Sequence, residues 1–308
     1  MSNILDNRHT VPDNDKGDMV FYIFLILAIL VGAMIGSGLA LLSGSLFGVS
    51  PMEGLGDVGT DPDWNHRTYL RVANGLSHLF TFTISALVFA LYFFGAPFWK
   101  KLGFHWPIRS ANAGLGILII VTSFPLIQLL YFLNRQLPLP DTLTQMEASA
   151  ENMLRAVLTM NTPQELLLNL VVVAILPAVG EELIFRGLLQ KRLERYFKNG
   201  QLAIWITAIV FSAIHLQFEG FLPRMFLGAV LGYLFYWSKN LWVPICAHFV
   251  FNGMQVAGQY IFPEAVESLE KAESMSPNWA LAGVSLIGVF LLTYYYRQLN
   301  QTTDNTAL

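Results

Sequence analysis

Long runs of apolar residues, separated by short polar stretches, extend over the chain from residue 19 onward. The first run, Met19–Val49, contains no charged residue and exceeds the about 20 positions that a helix needs to cross a bilayer. The alternation predicts an all-α fold, a polytopic integral membrane protein with about eight transmembrane helices. The predicted spans are about Met19–Val49, Val72–Phe98, Ala111–Leu133, Leu166–Gly180, Leu202–Leu216, Phe221–Trp237, Leu241–Ile261 and Trp279–Tyr296.

Two of the intervening segments are long enough to need an interpretation of their own. Residues 50–71 are rich in Gly, Pro and Asp, which favours a loop. Asp141–Gln164 contains strong helix formers, which predicts an amphipathic helix along the membrane surface. This segment is interpreted as a lid or as a plain connection, and the connection is favoured. Its apolar face would consist of Met146, Met153, Leu154 and Leu158.

Glycine and proline inside the spans predict how some helices pack. Gly32 and Gly36, followed by Gly38, have the spacing that lets two helix backbones approach closely. Pro125 lies inside the third span, where it is expected to kink the helix. Both features are interpreted as packing within the bundle.

The composition agrees with a membrane protein and narrows its partners. Apolar residues make up 54% of the 308 residues and charged residues 13%, about half the charged share of a typical soluble domain. The net charge is −3 and no basic stripe is present, so nothing indicates nucleic-acid binding. Cys246 is the only cysteine, which excludes a disulfide within the chain.

The basic residues outside the spans predict the orientation, because cytoplasmic loops carry an excess of Lys and Arg. With the N-terminus inside, the basic residues divide 11 to 6 in favour of the inside. Both termini are therefore predicted in the cytoplasm, with the protein in the plasma or inner membrane if its source is bacterial. The inside set is Arg8, Lys16, Lys100, Lys101, Arg109, Lys191, Arg192, Arg195, Lys198, Lys239 and Arg297, and the outside set is Arg67, Arg71, Arg135, Arg155, Arg224 and Lys271.

Three sets of polar residues lie in or beside the predicted spans, where ionisable groups are costly and by default functional. The first set, Glu181, Glu182 and Arg186, follows the uncharged run Leu166–Gly180. Arg186 lies four residues after Glu182, so these two can pair across one helical turn. Glu181 is rotated about 100° around the helix from Glu182 and stays available for another partner.

The second and third sets each place a histidine one helical turn from a partner. Phe211 precedes His215 by four residues at the end of the fifth span, so its ring can pack beside the imidazole. His248 and Asn252 share one face of the seventh span and can donate hydrogen bonds into the same small volume.

Two chemistries fit these sets if the bundle brings them together. In general-base hydrolysis, a carboxylate and an imidazole activate water while the other imidazole and the amide stabilise an oxyanion. In a zinc site, His215, His248 and a glutamate would leave one coordination position open. Asn252 is an uncommon zinc ligand, which favours hydrolysis without a metal or cofactor. His78 and His105 have no such neighbours along the chain and are interpreted as structural or interfacial.

Residues 180–252 also resemble a known family. The sets Glu-Glu-xxx-Arg, Phe-xxx-His and His-xxx-Asn, in this order on successive apolar segments, resemble the three motifs of the CPBP (Abi) intramembrane proteases. That family includes the type II CAAX prenyl endopeptidases. Further similar features are Phe226-Leu227-Gly228 and Asn240-Leu241-Trp242. The resemblance covers about a quarter of the chain.

This resemblance implies a glutamate-dependent intramembrane endopeptidase and a role for each motif residue. Glu181 would be the general base with His215 as its partner, and His248 and Asn252 would form the oxyanion hole. The supporting residues would be Glu182, Arg186 and Phe211. The expected partners are a peptide or protein substrate, lipidated or not, and membrane lipid.

The resemblance also divides the chain into four predicted segments. Residues 1–18 would be a polar cytoplasmic segment, 19–160 the N-terminal transmembrane helices and loops, and 161–262 the protease core. Residues 263–308 would contain the last loop, the final span and a polar tail.

Two other functions fit the same residues. The protein could be a non-enzymatic scaffold or immunity-type protein whose polar cluster locks helices together. It could also be a transporter that uses the Glu and His residues as a proton relay. Neither a repeated half nor paired broken helices in the sequence supports the transporter.

Overall fold

The computed structural model describes residues 15–50, 63–266, 268 and 277–304. These residues form helices and connections without a strand, which confirms the all-α prediction. Five of the helices in these ranges are long and apolar enough to cross a membrane. The helices are α1 Asp15–Ser43, α2 Trp64–Phe94, α3 Phe98–Leu102, α4 Ser110–Arg135, α5 Asp141–Leu158, α6 Pro163–Phe197, α7 Gly200–Ala213, α8 Phe221–Ser238, α9 Trp242–Ile261 and α10 Trp279–Asp304.

Each of the eight predicted spans coincides with a helix, but the helices differ in length and apolarity. The five candidate spans are α1, α2, α4, α6 and α10. Helix α7 is apolar but has only 14 residues. Helices α8 and α9 have 18 and 20 residues, and α9 carries His248 and Asn252 among its apolar residues. A polytopic membrane fold is therefore confirmed, and five of its helices qualify as spans by length and composition.

The second span begins earlier than predicted, because part of the predicted loop 50–71 is helical. Helix α2 starts at Trp64, and the Asp63 side chain caps its first turn. The sequence interpretation treated Arg67 and Arg71 as exposed loop charges, and it therefore placed the start of the helix too late. Residues 51–62 of the predicted loop lie outside the described part of the chain.

Buried ion pairs explain how these two arginines fit inside the bundle. Glu165, in the first turn of α6, lies 3.0 Å from Arg67 Nε and 2.9 Å from Arg71 Nη1. Arg71 is fully buried and also donates to the Val157 carbonyl. A buried cation is tolerated when it is paired and hydrogen-bonded. The network therefore fixes the start of α2 against the start of α6.

Helix α5 confirms that the segment after residue 140 is helical, although it ends at Leu158 and α6 begins at Pro163. The expected apolar face is not the buried one, since Met146, Met153 and Leu154 are all exposed, whereas Ala156 and Val157 are buried. Whether α5 is a lid or a connection stays a prediction.

The predicted close packing of glycines is confirmed between α1 and α2. A Cβ atom on Gly32 would overlap the Phe80 carbonyl oxygen, and one on Gly36 would lie 3.0 Å from Ser77 Cα. Gly38 has no atom within 4 Å of such a position. Only the first two glycines therefore have a packing role in the described structure.

Ser285 of α10 forms hydrogen bonds with the backbone of α4 on both sides of Pro125. The Leu126 N–H donates to Ser285 Oγ at 3.3 Å, and the Ser285 hydroxyl donates to the Thr122 carbonyl at 2.6 Å. In a regular helix, Leu126 and Thr122 would pair with each other. A serine from a neighbouring helix thus satisfies both backbone groups, as is common in membrane helices.

Contacts between helix ends agree with the predicted division of the loops between the two sides of the membrane. On one side, Arg192 pairs with Asp18 and Lys191 donates to the Lys101 carbonyl. On the other side, Arg135 pairs with Glu219. Which side is cytoplasmic stays a prediction, as do the segment boundaries 1–18, 19–160, 161–262 and 263–308. Arg8, Lys271, most of segment 1–18 and the last four residues of the tail lie outside the described residues.

Candidate active site

Helix α6 carries the glutamate pair through the centre of the bundle. Thr162 and Glu165 form a capping box at its start, and Pro163 occupies its first turn. In an apolar stretch of 18 residues of α6, 50% of the residues are buried, whereas the corresponding share is 28% or less in each of the other four candidate spans. The motif residues Glu181, Glu182 and Arg186 of this helix are buried within the protein.

The glutamates lie between two π-helical segments of α6. Leu170–Ile175 and Leu183–Gln190 are π-helical, and the α-helical stretch Leu176–Glu182 separates them. Such segments are frequent at functional sites, because the wider turn redirects side chains and carbonyl groups. No feature of the sequence interpretation predicted them.

Glu182 and Arg186 form the ion pair that their spacing predicts. Glu182 Oε1 lies 2.7 Å from Arg186 Nη1, and both side chains are completely buried. Arg186 Nη2 donates to the Gly228 carbonyl at 2.7 Å, and the guanidinium lies 5.0 Å from the centroid of the Phe211 ring. The pair therefore ties α6 to α7 and α8.

His248 connects the two glutamates. Its Nδ1 lies 2.9 Å from Glu182 Oε1, and its Nε2 lies 3.9 Å from Glu181 Oε2. A carboxylate accepts hydrogen bonds, so Nδ1 carries the proton and Nε2 is presented to the space beside Glu181. The sequence interpretation paired His248 with Asn252 and did not predict its bond to Glu182.

His215 approaches Glu181 from the end of α7. Its Nδ1 lies 2.8 Å from the Phe211 carbonyl oxygen, and its ring packs edge-on against Phe211 at 5.3 Å. Because a carbonyl oxygen only accepts, Nδ1 carries a proton, and in the neutral ring Nε2 is an acceptor. This Nε2 lies 4.0 Å from Glu181 Oε1, so the two groups are near each other without a direct hydrogen bond.

Asn252 is held against the first π-helical segment of α6. Its Nδ2 donates to the Val173 carbonyl at 3.1 Å. An amide nitrogen has two donor hydrogens, so one remains for another acceptor. The bond to Val173 also fixes which end of the amide is the donor.

One residue near Glu181 was missed. His78, interpreted from the sequence as structural or interfacial, lies with Nε2 3.1 Å from Glu181 Oε1. It belongs to α2, 103 positions before Glu181, so no local pattern could link the two. The only feature of the sequence that could have indicated a functional role for His78 is the free-energy cost of placing an ionisable residue in an apolar span. His105 lies elsewhere, and its carbonyl accepts a hydrogen bond from Asn240.

No metal site is recognised among the described side chains. Among the residues that the structure describes, no group of three or more His, Cys, Asp or Glu side chains is arranged to hold a metal ion. The set His215, His248 and a glutamate is not recognised as such a group, but the bond of His248 Nδ1 to Glu182 leaves Nε2 available as a ligand, so the zinc alternative stays a prediction.

Comparisons with known proteins point to one family. Residues 163–254 match the model of type II CAAX prenyl endopeptidase Rce1-like proteins. The uncharacterized protein YpbD of Bacillus subtilis (strain 168) is 27% identical over 114 residues, 33% of this chain and 56% of the relative. The membrane-embedded CAAX protease MroQ of Staphylococcus aureus (strain USA300) is 31% identical over 101 residues, 31% of this chain and 40% of the relative. The chain thus spans 56% or less of these relatives, and no solved structure gives a significant match.

Proposed function

We propose that this chain, whose residues 163–254 match the Rce1-like family model, is an intramembrane endopeptidase that hydrolyses peptide bonds with water activated by Glu181. One observation carries the proposal. The buried Glu181 carboxylate has the imidazoles of His215 and His248 within 4.0 Å. A carboxylate with several imidazoles and little water is suited to general acid–base chemistry.

The base would be Glu181, with His215 as its partner. The 4.0 Å between Glu181 Oε1 and His215 Nε2 is too long for a direct bond and leaves room for one bridging water. Glu181 takes a proton from this water as the water oxygen bonds to the substrate carbonyl carbon. When the C–N bond breaks, the same proton goes to the leaving amine, which completes the hydrolysis.

The negative oxygen of the tetrahedral intermediate would be stabilised by His248 and Asn252. His248 presents Nε2 to the site, 3.9 Å from Glu181 Oε2, and a protonated imidazole ring donates from both of its nitrogens. Asn252 has one amide hydrogen left after its bond to Val173. Two fixed donors in a site that excludes water are the usual form of an oxyanion hole.

The substrate would be a peptide or a protein, with or without a lipid group. An open cavity of about 230 Å³ adjoins the turn that carries His215, and its lining is almost entirely apolar. This cavity is suited to an apolar substrate group that binds beside the turn of His215. Its lining residues are Ser212, Ala213, Leu216, Gln217, Phe218 and Phe221.

A comparison of peptide products tests the proposal. Membranes that contain the wild type, Glu181→Gln or Glu194→Gln are incubated with a membrane-protein and peptide library, and new chain ends are identified by mass spectrometry. Glu194 is a control on the same helix, because it pairs with Lys239 away from the site. We expect products with the wild type and Glu194→Gln only. Identical products from the wild type and Glu181→Gln would contradict the role of Glu181, and no products beyond those of membranes without the protein would favour a non-enzymatic protein.

Chelation separates the proposed chemistry from a zinc-dependent reaction. Because Glu181 activates the water in this account, cleavage is expected to persist in the presence of EDTA or 1,10-phenanthroline. A reversible loss of cleavage that added zinc restores would contradict the glutamate mechanism and favour the metal site.

A further inference from the structure

His78 makes the shortest polar contact of Glu181 with a side chain among the described residues. The His78 Nε2 to Glu181 Oε1 distance is 3.1 Å, whereas the nitrogens of His215 and His248 lie 4.0 and 3.9 Å from the carboxylate. Both partners are largely buried, with side-chain exposures of 12% and 7%. An ionised carboxylate only accepts hydrogen bonds, so His78 is the donor.

The ring of His78 is itself held in place. It stacks on Phe82 with a centroid distance of 4.6 Å and an interplanar angle of 26°. Its Nδ1 is buried and has no hydrogen-bond partner within the described residues. Within the described part of the chain, the bond to Glu181 is therefore the one polar contact that orients this ring.

The backbone is arranged to bring His78 to Glu181. The π-helical segment Leu79–Ile84 begins directly after His78 in α2. Gly180, the residue before Glu181, packs on this segment, since a Cβ there would lie 2.6 Å from Thr83 Oγ1 and 2.9 Å from Phe82 Cβ. A side chain at position 180 would therefore separate the two helices, and the glycine permits the short His78–Glu181 distance.

Glu181 keeps its capacity to act as a base while His78 is bound. A carboxylate oxygen can accept two hydrogen bonds. His78 donates one hydrogen bond to Oε1. The same oxygen can accept a second hydrogen bond, from a water molecule beside His215. Holding a reacting carboxylate in one orientation is worth a large factor in rate, because a displacement of about 1 Å can cost about 10²-fold.

We infer that His78 is a positioning residue, which donates from Nε2 to Glu181 and fixes the carboxylate towards the water beside His215. This inference rests on the proposed function. It assigns a role to α2, which lies outside the family-matched residues 163–254. It also predicts that the N-terminal half of the chain is required for the rate of the reaction as well as for the fold.

The kinetic test compares His78→Leu, which removes the donor, with His78→Gln, whose amide nitrogen can reach the position of Nε2. His66→Gln is the matched control, a histidine three turns earlier on α2 and outside the site. We expect His78→Leu to lower kcat about 10²-fold at nearly unchanged KM, with most of the rate restored in His78→Gln and none lost in His66→Gln. Wild-type kcat in His78→Leu, an effect on KM alone, or equal losses in the Leu and Gln variants would overturn the inference.

Infrared spectroscopy tests the His78–Glu181 hydrogen bond directly and does not depend on catalytic activity. The difference between spectra with and without the Glu181→Gln substitution isolates the carboxylate band of Glu181. This band should shift in the His78→Leu background and return in His78→Gln, because the hydrogen bond is lost and then replaced. An unshifted band would overturn the role of His78. Cleavage that does not depend on Glu181, together with a shifted band, would instead reject the proposed function and retain the contact.

Discussion

At the residue scale, two acids adjacent in the sequence have different environments. Glu182 is completely buried and pairs with both Arg186 and His248. Glu181 has no arginine or lysine partner within the described residues and faces three imidazoles instead. The first carboxylate is fixed through Oε1 by these two partners, and its Oε2 is buried without a partner in the described structure, whereas the second faces the imidazoles of the proposed site. The difference follows from the rotation of about 100° between successive residues on a helix.

Removing the charge of Glu182 should destabilise the fold, because it leaves Arg186 buried without its partner. Breaking a buried ion pair costs about 3–5 kcal/mol. We expect Glu182→Gln to unfold at a clearly lower temperature in detergent, and Glu181→Gln to unfold near the wild-type temperature. Equal unfolding temperatures for Glu182→Gln and the wild type would show that the pair contributes little to stability.

Asn252→Ala should lower the rate without unfolding the protein. The loss of one oxyanion donor costs about 10²- to 10³-fold in kcat. Gln255→Ala is the control, because Gln255 is exposed on the same helix, and it should retain the wild-type rate. If steady-state kinetics give the same kcat for Asn252→Ala and the wild type, Asn252 is not an oxyanion donor.

The sequence predicts the local contacts of the site and not its distant ones. The Glu182–Arg186 and Phe211–His215 contacts each join residues four positions apart, so helix geometry alone predicts them. The bond from His78 to Glu181 spans 103 positions and that from Asn252 to Val173 spans 79. These contacts depend on how the helices pack and on the π-helical segments, which the pattern of apolar positions does not encode.

At the element scale, apolar periodicity locates the helices but not their ends. Helix α2 begins at Trp64 because Glu165 offsets the charges of two buried arginines. A hydropathy pattern cannot anticipate such a partner on another helix. Glycine spacing was more informative, since Gly32 and Gly36 mark the contact of α1 with α2.

A pair of alanine substitutions tests that contact. Gly32→Ala places a methyl group on the Phe80 carbonyl oxygen, while Gly38→Ala meets no atom within 4 Å. Overpacking of this kind typically costs about 1–3 kcal/mol. Thermal unfolding in detergent should therefore show a lower midpoint for Gly32→Ala and an unchanged or slightly higher one for Gly38→Ala. The reverse order would contradict the close approach of α1 and α2.

At the scale of the whole molecule, the charges at the helix ends predict how the bundle sits in the membrane. A cavity of about 540 Å³ on the side of Lys101 and Lys191 is lined mainly by charged residues, with one acid, Glu194, among them. An excess of basic residues is typical of the cytoplasmic face. The basic residues of the cavity are Lys191, Arg195, Lys198 and Lys239.

Cysteine labelling in intact cells measures this orientation. In a Cys246→Ser background, which removes the only cysteine, Lys198→Cys and Glu151→Cys place single thiols at exposed positions on opposite sides. A membrane-impermeant maleimide should label Glu151→Cys from outside and should reach Lys198→Cys only after lysis. Labelling of Lys198→Cys in intact cells would reverse the predicted topology.

The most direct test of the central claim is the turnover rate of purified Glu181→Gln on a substrate identified with the wild type. We expect no detectable cleavage by this variant, although it folds like the wild type, and we expect wild-type cleavage by Glu194→Gln. Cleavage by Glu181→Gln at the wild-type rate would contradict the claim that the Glu181 carboxylate activates the water.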